Sequence, residues 1–376
     1  MQFRDLKKQY ELLKPKIDVG IQEVINESSF ILGKPVTDLE KVLADYTGRK
    51  YCITCASGTD ALVLALKAHN VGKGDAVFVP DFTYIASASC ASLVGATPVF
   101  VDIDLKTFNM NPEALERAIE KTIEEDKFTL KAIIPVDLFG LPANFEEIEK
   151  IAQKYNLLVL EDAAQGFGGA IGEKKAGSFG NISATSFFPA KPLGCYGDGG
   201  AIFTDDDEID KRLRSLRAGG RSPEDKYNNC EIGFNSRLDT IQAAVLLAKF
   251  DTFVEREIGA VNDVAEWYTK RLRGVVETPI IPAGYVSSWA QYTIRLNNRM
   301  QRRNLREKLK EAGIPSMIYY PRGMHQQQAF SYMELSDELY PNTTQAVDTV
   351  LSLPMHPYLD ETTVDSICSE IIKILK

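Results

Sequence analysis

Short apolar runs recur through the first 204 residues, and segments of helical spacing separate most of them. The runs cover residues 51–55, 76–80, 98–103, 131–136, 157–160, 185–188 and 201–204, with helical stretches at 60–68, 111–123 and 145–155. A strand that is apolar along its whole length must be covered on both faces. Strands alternating with helices meet that demand in a mostly parallel, doubly wound sheet.

Two amphipathic stretches precede the alternation. Tyr10, Leu13, Ile17, Ile21, Val24 and Ile25 fall near i, i+3, i+4, i+7, and residues 36–46 repeat the pattern. After about residue 250 the texture changes. Residues 241–256 read as one long helix leaving the first unit, followed by an alternating strand (289–296), a charged helix (302–312) and a terminal helix (362–375). The expected organisation is a large α/β domain at 1–250, with its N-terminal helical segment, and a small α+β domain at 251–376. The 376 residues agree with two or three domains at ~150 residues each, and a core of that size needs no staple.

Composition excludes several functions. Lys and Arg number 43 against 52 Asp and Glu, a net charge of −9 without a basic run, which argues against a nucleic-acid or anionic-membrane partner. Three histidines (His69, His325, His356) leave no His-rich metal site. Cys52 and Cys55 form a single CxxC; a zinc site needs a second hook or paired His. A thioredoxin-like pair is the other chemical reading, and two small residues on a buried strand the favoured one. The first residues lack a signal peptide's apolar core, and no apolar run spans a bilayer. The expectation is a soluble cytoplasmic protein without a metal.

Four motifs sit where strands should end, the edge at which open α/β sheets bind ligands. Ser57-Gly58-Thr59-Asp60 joins a strand to a helix, whose free N–H groups and dipole favour a phosphate; a plain N-cap is the alternative. Phe82-Thr83-Tyr84 offers an aromatic that covers a planar ring or fills the core rim. Glu161-Asp162 ends an apolar run, with Gln165 one turn on; Asp162 is a cofactor-binding carboxylate or a helix cap. Lys191 follows Ser186-Phe187-Phe188-Pro189 and precedes the Gly-rich 194–200 turn, itself readable as a ligand loop or a hairpin. A desolvated lysine loses its proton readily and attacks carbonyls, although pairing with a phosphate or carboxylate is the simpler role. Phosphate loop, aromatic, acid and lysine in that order are what a planar, phosphorylated aldehyde requires: a cradle, a ring cover, an acid for a pyridine nitrogen and a Schiff-base amine. That cofactor is pyridoxal 5′-phosphate (PLP).

The segments S-G-T-D-A-L, P-D-F-T-Y, E-D-A-A-Q, S-F-F-P-A-K-P-L-G and Y-G-D-G-G-A together resemble the DegT–StrS family of nucleotide-sugar aminotransferases. So do F-R-D-L, F-I-L-G-K-P-V, G-F-N-S-R-L-D and L-P-M-H-P-Y-L, which extend the likeness over nearly the whole chain. The resemblance implies the aspartate-aminotransferase fold (PLP fold type I), with a large seven-stranded sheet domain and a small C-terminal domain. It implies Lys191 as the Schiff-base lysine and proton carrier, and Asp162 as the acid facing the pyridine nitrogen. Gln165 would lie near the phenolic oxygen, Gly58, Thr59 and Ser186 at the phosphate, and Tyr84 on the ring. Asn235 would reach the phosphate of a neighbouring subunit, making the site that of a homodimer. L-glutamate is the implied amino donor and a nucleotide-linked keto-sugar the acceptor, in surface-polysaccharide or lipopolysaccharide precursor synthesis. Lysine at 191, where the dehydratases of this fold carry His, favours transamination. Arg237, Tyr319, Tyr320 and His325 are the candidate sugar contacts, Tyr319 standing where the family often has His and Arg237 equally readable as a surface ion-pair partner. The 187–201 stretch is most similar to members that aminate C3 of UDP-linked 3-keto uronic acids. C4 or dTDP-keto-deoxysugar amination, and dehydration, are the alternatives.

Overall fold

The apolar runs assemble into one seven-stranded sheet. The computed structural model describes every residue except 223 and 226. Two helices, α1 (Leu6–Glu27) and α2 (Lys34–Thr47), lead into β1 (Tyr51–Cys55), α3 (Gly58–Ala68), β2 (Asp75–Pro80), α4 (Ala86–Leu93) and β3 (Thr97–Val101). Then come α5 (Pro112–Glu125), β4 (Thr129–Ile133), α6 (Phe145–Tyr155) and β5 (Leu158–Asp162). After the short β6 (Ala170–Ile171) and β7 (Lys174–Lys175) follow β8 (Ile182–Ser186), β9 (Gly200–Thr204), α7 (Asp207–Leu216) and α8 (Thr240–Thr252). The strand order is β1-β9-β8-β5-β4-β2-β3, and only β9 runs against the rest. The mostly parallel expectation holds, and β8 and β9 form a hairpin around residues 187–199.

Local chemistry sets where the helices start. Ser57, Asn111, Asn144 and Asp206 each accept an N–H from the first turn of α3, α5, α6 and α7. Each such cap contributes about 1 kcal/mol. The amphipathic face of α1 buries Leu13 and Ile17 against Val245 of α8. Both sheet faces are closed by apolar side chains, with Ile53, Val79 and Leu160 in one cluster and Phe78, Ile133 and Val159 in another.

The helix expected at 241–256 is longer. It runs through a wider turn at Phe253–Glu257 into α9 (Ile258–Leu272). The short β10 (Tyr285–Val286) comes next, then β11 (Tyr292–Arg295), α10 (Arg299–Glu311), α11 (Pro341–Thr349), β12 (Val350–Leu353) and α12 (Glu361–Leu375). β11 and β12 pair antiparallel, and Tyr268, Ile294, Leu305, Leu351 and Ile367 close a core of their own. Cys52 and Cys55 lie on β1 but belong to different core clusters on opposite faces of the sheet, so they form no pair. Burial pushes both thiols up, Cys55 to about 12, which keeps them unreactive.

Beneath the site edge lies a pair of buried carboxyls. Asp137 and Glu161 are both fully buried; Glu161 accepts the Gly177 and Phe179 N–H groups at 2.8 Å each, and Asp137 accepts that of Ala143 at 3.0 Å. Asp137 Oδ2 has no donor among the described residues. Burial and mutual repulsion raise Asp137, and burial raises Glu161, so the pair shares a proton. The native state therefore holds a proton that the unfolded chain releases near pH ~4. This contribution is complete below that pH and is lost as pH rises through the raised native values. Asp137→Asn supplies a permanent N–H toward Glu161. Thermal melts are expected to show the variant gaining about 2 °C over the wild type at pH 8.5 and nothing at pH 5.5. Equal gains at both pH values would refute the shared proton.

Candidate active site

Because β1, β2, β5 and β8 run in one direction, the residues after them emerge at a single edge of the sheet. Ser57, at the end of β1, caps α3 by accepting the Asp60 N–H at 3.1 Å, which leaves the N–H groups of Gly58 and Thr59 at the helix start. Gly58 is pressed onto the end of β8: a Cβ there would come within 2.6 Å of Ser186 Cβ and 3.0 Å of its Oγ. Free N–H groups, a helix dipole and a hydroxyl converge on one small space.

Asp162 ends β5, almost fully buried. Its Oδ2 accepts from Ser87 Oγ at 2.7 Å, its Oδ1 from the Ala164 N–H at 3.2 Å, and Thr83 Oγ1 lies 3.0 Å from Ser87 Oγ. No cation forms an ion pair with it among the described residues. Burial raises its pKa, against the Ser87 hydrogen bond and the charge of Lys191.

Lys191 sits on the β8–β9 hairpin. The loop is stiffened by Phe187 N–H to Gly199 O, Cys195 N–H to Phe187 O and Lys191 N–H to Phe188 O, all 2.8 Å. Buried Lys249 Nζ pins Gly194 O at 2.7 Å. The Gly-rich stretch is therefore a hairpin, and it carries Lys191. Lys191 Nζ has neither an acceptor nor an ion-pair partner among the described residues. Burial lowers its pKa; Asp162 opposes the shift and Arg4 adds to it.

Gln165, buried, accepts the Phe139 N–H at 2.9 Å and donates from Nε2 to the Tyr320 hydroxyl at 3.1 Å. The Tyr84 ring stands 6.5 Å from that of Tyr320 and is 53% exposed, so one face is available. Gly58, Thr59, Tyr84, Asp162, Gln165, Ser186, Lys191 and Tyr320 thus share one edge.

Asn235 and Arg237 point elsewhere. Between them Ser236 turns inward, donating to Asp60 at 2.6 Å and accepting the Ala56 N–H at 3.1 Å. On either side of it Asn235 is exposed and Arg237 partly buried, with its Nε enclosed, and Arg237 donates to Asn235. Neither hydrogen-bonds to the Lys191 edge of its own chain.

His325 needs a correction. Its ring is buried, with Nδ1 2.5 Å from Asp81 and Nε2 2.8 Å from Asp337, and it stacks on Tyr340 at 4.7 Å. Its N–H also donates to Asp81 at 2.8 Å. Burial lowers the imidazole pKa, but the two carboxylates outweigh it and the net shift is upward. Both ring nitrogens are engaged, leaving none for a sugar. His325 ties the 324–340 segment to Asp81, immediately before Phe82-Thr83-Tyr84. Arg4, Ser87 and Lys249 belong to the site and were unassigned by motif; only the F-R-D-L segment gave a signal for one of them.

The residues fit PLP. The cradle at Gly58 and Ser186 suits a phosphate, the unpaired buried carboxylate of Asp162 suits a protonated ring nitrogen, and the unpaired Lys191 amine suits an aldehyde. Gly58→Ala is expected to force α3 from β8 and raise the PLP dissociation constant about 10-fold, roughly one lost charge-assisted hydrogen bond. An absorbance titration measures it, and unchanged affinity would move the phosphate elsewhere.

The sequence pattern of the DegT/DnrJ/EryC1/StrS aminotransferase family matches residues 13–372. The UDP-2-acetamido-2-deoxy-3-oxo-D-glucuronate aminotransferase of Pseudomonas aeruginosa is 46% identical over 99% of each chain. A UDP-N-acetyl-3-dehydro-alpha-D-glucosamine 3-aminotransferase of Acidithiobacillus ferrooxidans is 41% identical over 99% of this chain and 97% of its own. Among solved structures, a DegT DnrJ EryC1 StrS aminotransferase from Brucella abortus superposes with a TM-score of 0.95 at 47% identity, covering 99% of this chain and 98% of its own. A likeness that covers both chains end to end, on a fold that gathers the same motifs at one sheet edge, makes this chain a member of the DegT/DnrJ/EryC1/StrS aminotransferase family.

Proposed function

We propose that the chain moves the amino group of L-glutamate to C3 of a UDP-linked 3-keto sugar, an N-acetylated uronic acid or a close analogue, for a surface polysaccharide. The observation that carries this is the 46% identity, across both full lengths, to an enzyme named for that 3-oxo-glucuronate chemistry. When bound, PLP supplies an aldehyde that takes up an amine and a ring that draws electrons from the carbon bearing it. The chain's residues do the remainder. The start of α3 and the Ser186 hydroxyl hold the phosphate, Asp162 keeps a proton on the ring nitrogen, and Tyr84 covers a ring face. Gln165 lies by the phenolic oxygen. Lys191 Nζ, favoured in its neutral form by burial, takes a proton from the donor's α-carbon and later returns one, as base and then acid.

The active enzyme is a cytoplasmic homodimer. Tyr84 and Phe188 are about half exposed at the site edge, and Phe30, Ile31 and Leu32 form a run of exposed apolar side chains. A second copy covering them would bring Asn235 of the partner subunit to the phosphate and the partner subunit's Arg237 to the nucleotide or sugar. Tyr319 and Tyr320 line the sugar side. The test is a panel of keto-sugars assayed with glutamate. UDP-3-keto-N-acetylglucuronate should be aminated with stoichiometric 2-oxoglutarate. Faster amination of a dTDP-4-keto-6-deoxy sugar would overturn the C3 assignment, and no 2-oxoglutarate with any acceptor would overturn transamination.

A further inference from the structure

The arm before α1 brings a second cation to Lys191. Phe3 O accepts the Met355 N–H at 3.1 Å, and the Phe3 ring stands edge-on to Tyr319, with centroids 6.2 Å apart. Asp5 caps α1 by accepting the Lys8 N–H at 2.9 Å. Between these anchors Arg4 turns inward, and its Nη2 donates to the carbonyl of Lys191 at 2.8 Å and lies 3.5 Å from that of Pro192.

The rest of the guanidinium is unused. Its Nε and Nη1 have no hydrogen-bond partner among the described residues, and no carboxylate forms an ion pair with it. Glu257 acts on it only at longer range and is itself engaged by Gln9 Nε2 at 3.0 and 3.1 Å and by the Tyr358 hydroxyl. Arg4 and Lys191 are both partly buried, Arg4 is held on the Lys191 carbonyl, and burial lowers the pKa of each. Desolvating a cation without a counter-charge is costly, and two backbone carbonyls compensate in part only. A guanidinium with an open edge presents the paired donors that a planar carboxylate accepts in bidentate fashion. Tyr319 packs on the Phe3 ring next to Arg4, and the Arg4 charge opposes the upward shift that burial gives its hydroxyl.

We propose that Arg4, with Tyr319 beside it, receives a substrate carboxylate next to Lys191, either a carboxylate of the amino donor or the C6 carboxylate of a uronic sugar. The inference rests on the aminotransferase reading and adds to it the group that recognises acidic substrates. It accounts for an arm tethered at both ends: the tethers hold the cation beside the reacting amine without using its open edge.

The test uses the full-length PLP-loaded protein as wild type, Arg4→Gln and Arg4→Lys, with ligands that cannot transaminate. Isothermal titration compares UDP-glucuronate with UDP-glucose, which lacks the sugar carboxylate, and glutarate with its uncharged diamide. In one pair the wild type should bind the carboxylate about 10-fold more tightly than its neutral counterpart. Arg4→Gln should erase that preference while leaving the neutral ligand's affinity unchanged, and Arg4→Lys should restore part of it. The pair that responds identifies the source of the carboxylate. No wild-type preference in either pair, a preference that survives Arg4→Gln, or equal loss for charged and neutral ligands would each reduce Arg4 to a strap for the lysine loop. Should Arg4→Gln melt early, Arg4→Lys retains the cation and its graded effect decides. Release of 2-oxoglutarate by the wild type with glutamate is the separate control: its failure rejects the aminotransferase reading, whereas its success with unchanged preferences rejects only the role of Arg4.

Discussion

Lys191→Ala should lower turnover about 10⁴-fold or more while leaving the melting temperature within about 2 °C of the wild type. The two halves of this expectation have different origins. The Lys191 amine touches no acceptor among the described residues, so its removal breaks no hydrogen bond or ion pair. The loop that carries it is held by main-chain bonds, by Lys249 Nζ on Gly194 O and by Arg4 Nη2 on Lys191 O, all of which survive the substitution. Loss of a desolvated cation is itself slightly stabilising. The chemistry has no substitute, because Asp162 is occupied by Ser87 and Ala164 and the Lys249 amine is held on Gly194 O. Release of 2-oxoglutarate from glutamate, scanning calorimetry and mass spectrometry after borohydride measure the parts. The wild type should carry reduced cofactor at Lys191 and the variant none. Its glutamate half-reaction should accelerate as pH rises and reach a plateau below the pH of an ordinary lysine, since burial lowers the Lys191 pKa. Residual turnover of a few per cent would exclude Lys191 as the proton carrier.

The parts of this molecule legible in the sequence are those with a short-range signature. Apolar runs of strand length at 76–80 and 157–160 became β2 and β5, and the 145–155 period became α6 without a shift. Strand-end chemistry was legible for the same reason: Gly58, Asp162 and Lys191 sit within a few residues of the elements that position them. What escaped lacks periodicity or acts over distance. A-S-A-S-C-A-S-L folds as α4 although its small residues show no apolar face, and so Ser87, the partner of Asp162, went unassigned. The continuation of α8 into α9 passes through a wider turn that a 3.6-residue period does not register. Arg4 meets Lys191 across 187 residues, and His325 meets Asp81 across 244. A family pattern that brings 324–325 to the sugar wall cannot reveal that two carboxylates claim the imidazole. Asn235 was expected to serve a neighbouring copy, and its exposed position beside the inward-turned Ser236 is compatible with that expectation.

Asp162→Asn should produce three effects at once: turnover reduced about 10³-fold, PLP bound about 10- to 100-fold more weakly, and a cofactor-free protein at least as stable as the wild type. Their combination is diagnostic because a structural aspartate gives a different set. Asparagine keeps the shape: its carbonyl accepts the Ala164 N–H and its amide donates to Ser87 Oγ, whose own proton turns to Thr83 Oγ1, so the packing at the end of β5 is retained. It lacks the charge. In the free protein that charge is buried without an ion pair, and burial raises its pKa despite Ser87 and Lys191. A carboxyl raised in the native state contributes its full share below the unfolded value of ~3.9 and loses it as pH rises through the native value, so at neutral pH the charge is a burden on the empty protein. Asn removes that burden, and the melting temperature of the cofactor-free variant should stay level or rise by about 1–2 °C at pH 8. With a protonated ring nitrogen present the sign reverses. The buried charge then has its counter-ion, and a charge-assisted hydrogen bond contributes about 1.5–3 kcal/mol, which sets the expected loss of affinity. The stabilisation gained on adding PLP should shrink accordingly. Calorimetry with and without PLP, an absorbance titration and the glutamate half-reaction together decide the outcome. A fall in the melting temperature of the cofactor-free variant, or unchanged PLP affinity, would make Asp162 a packing residue that merely anchors α4 through Ser87, and the charge at the end of β5 would need another explanation.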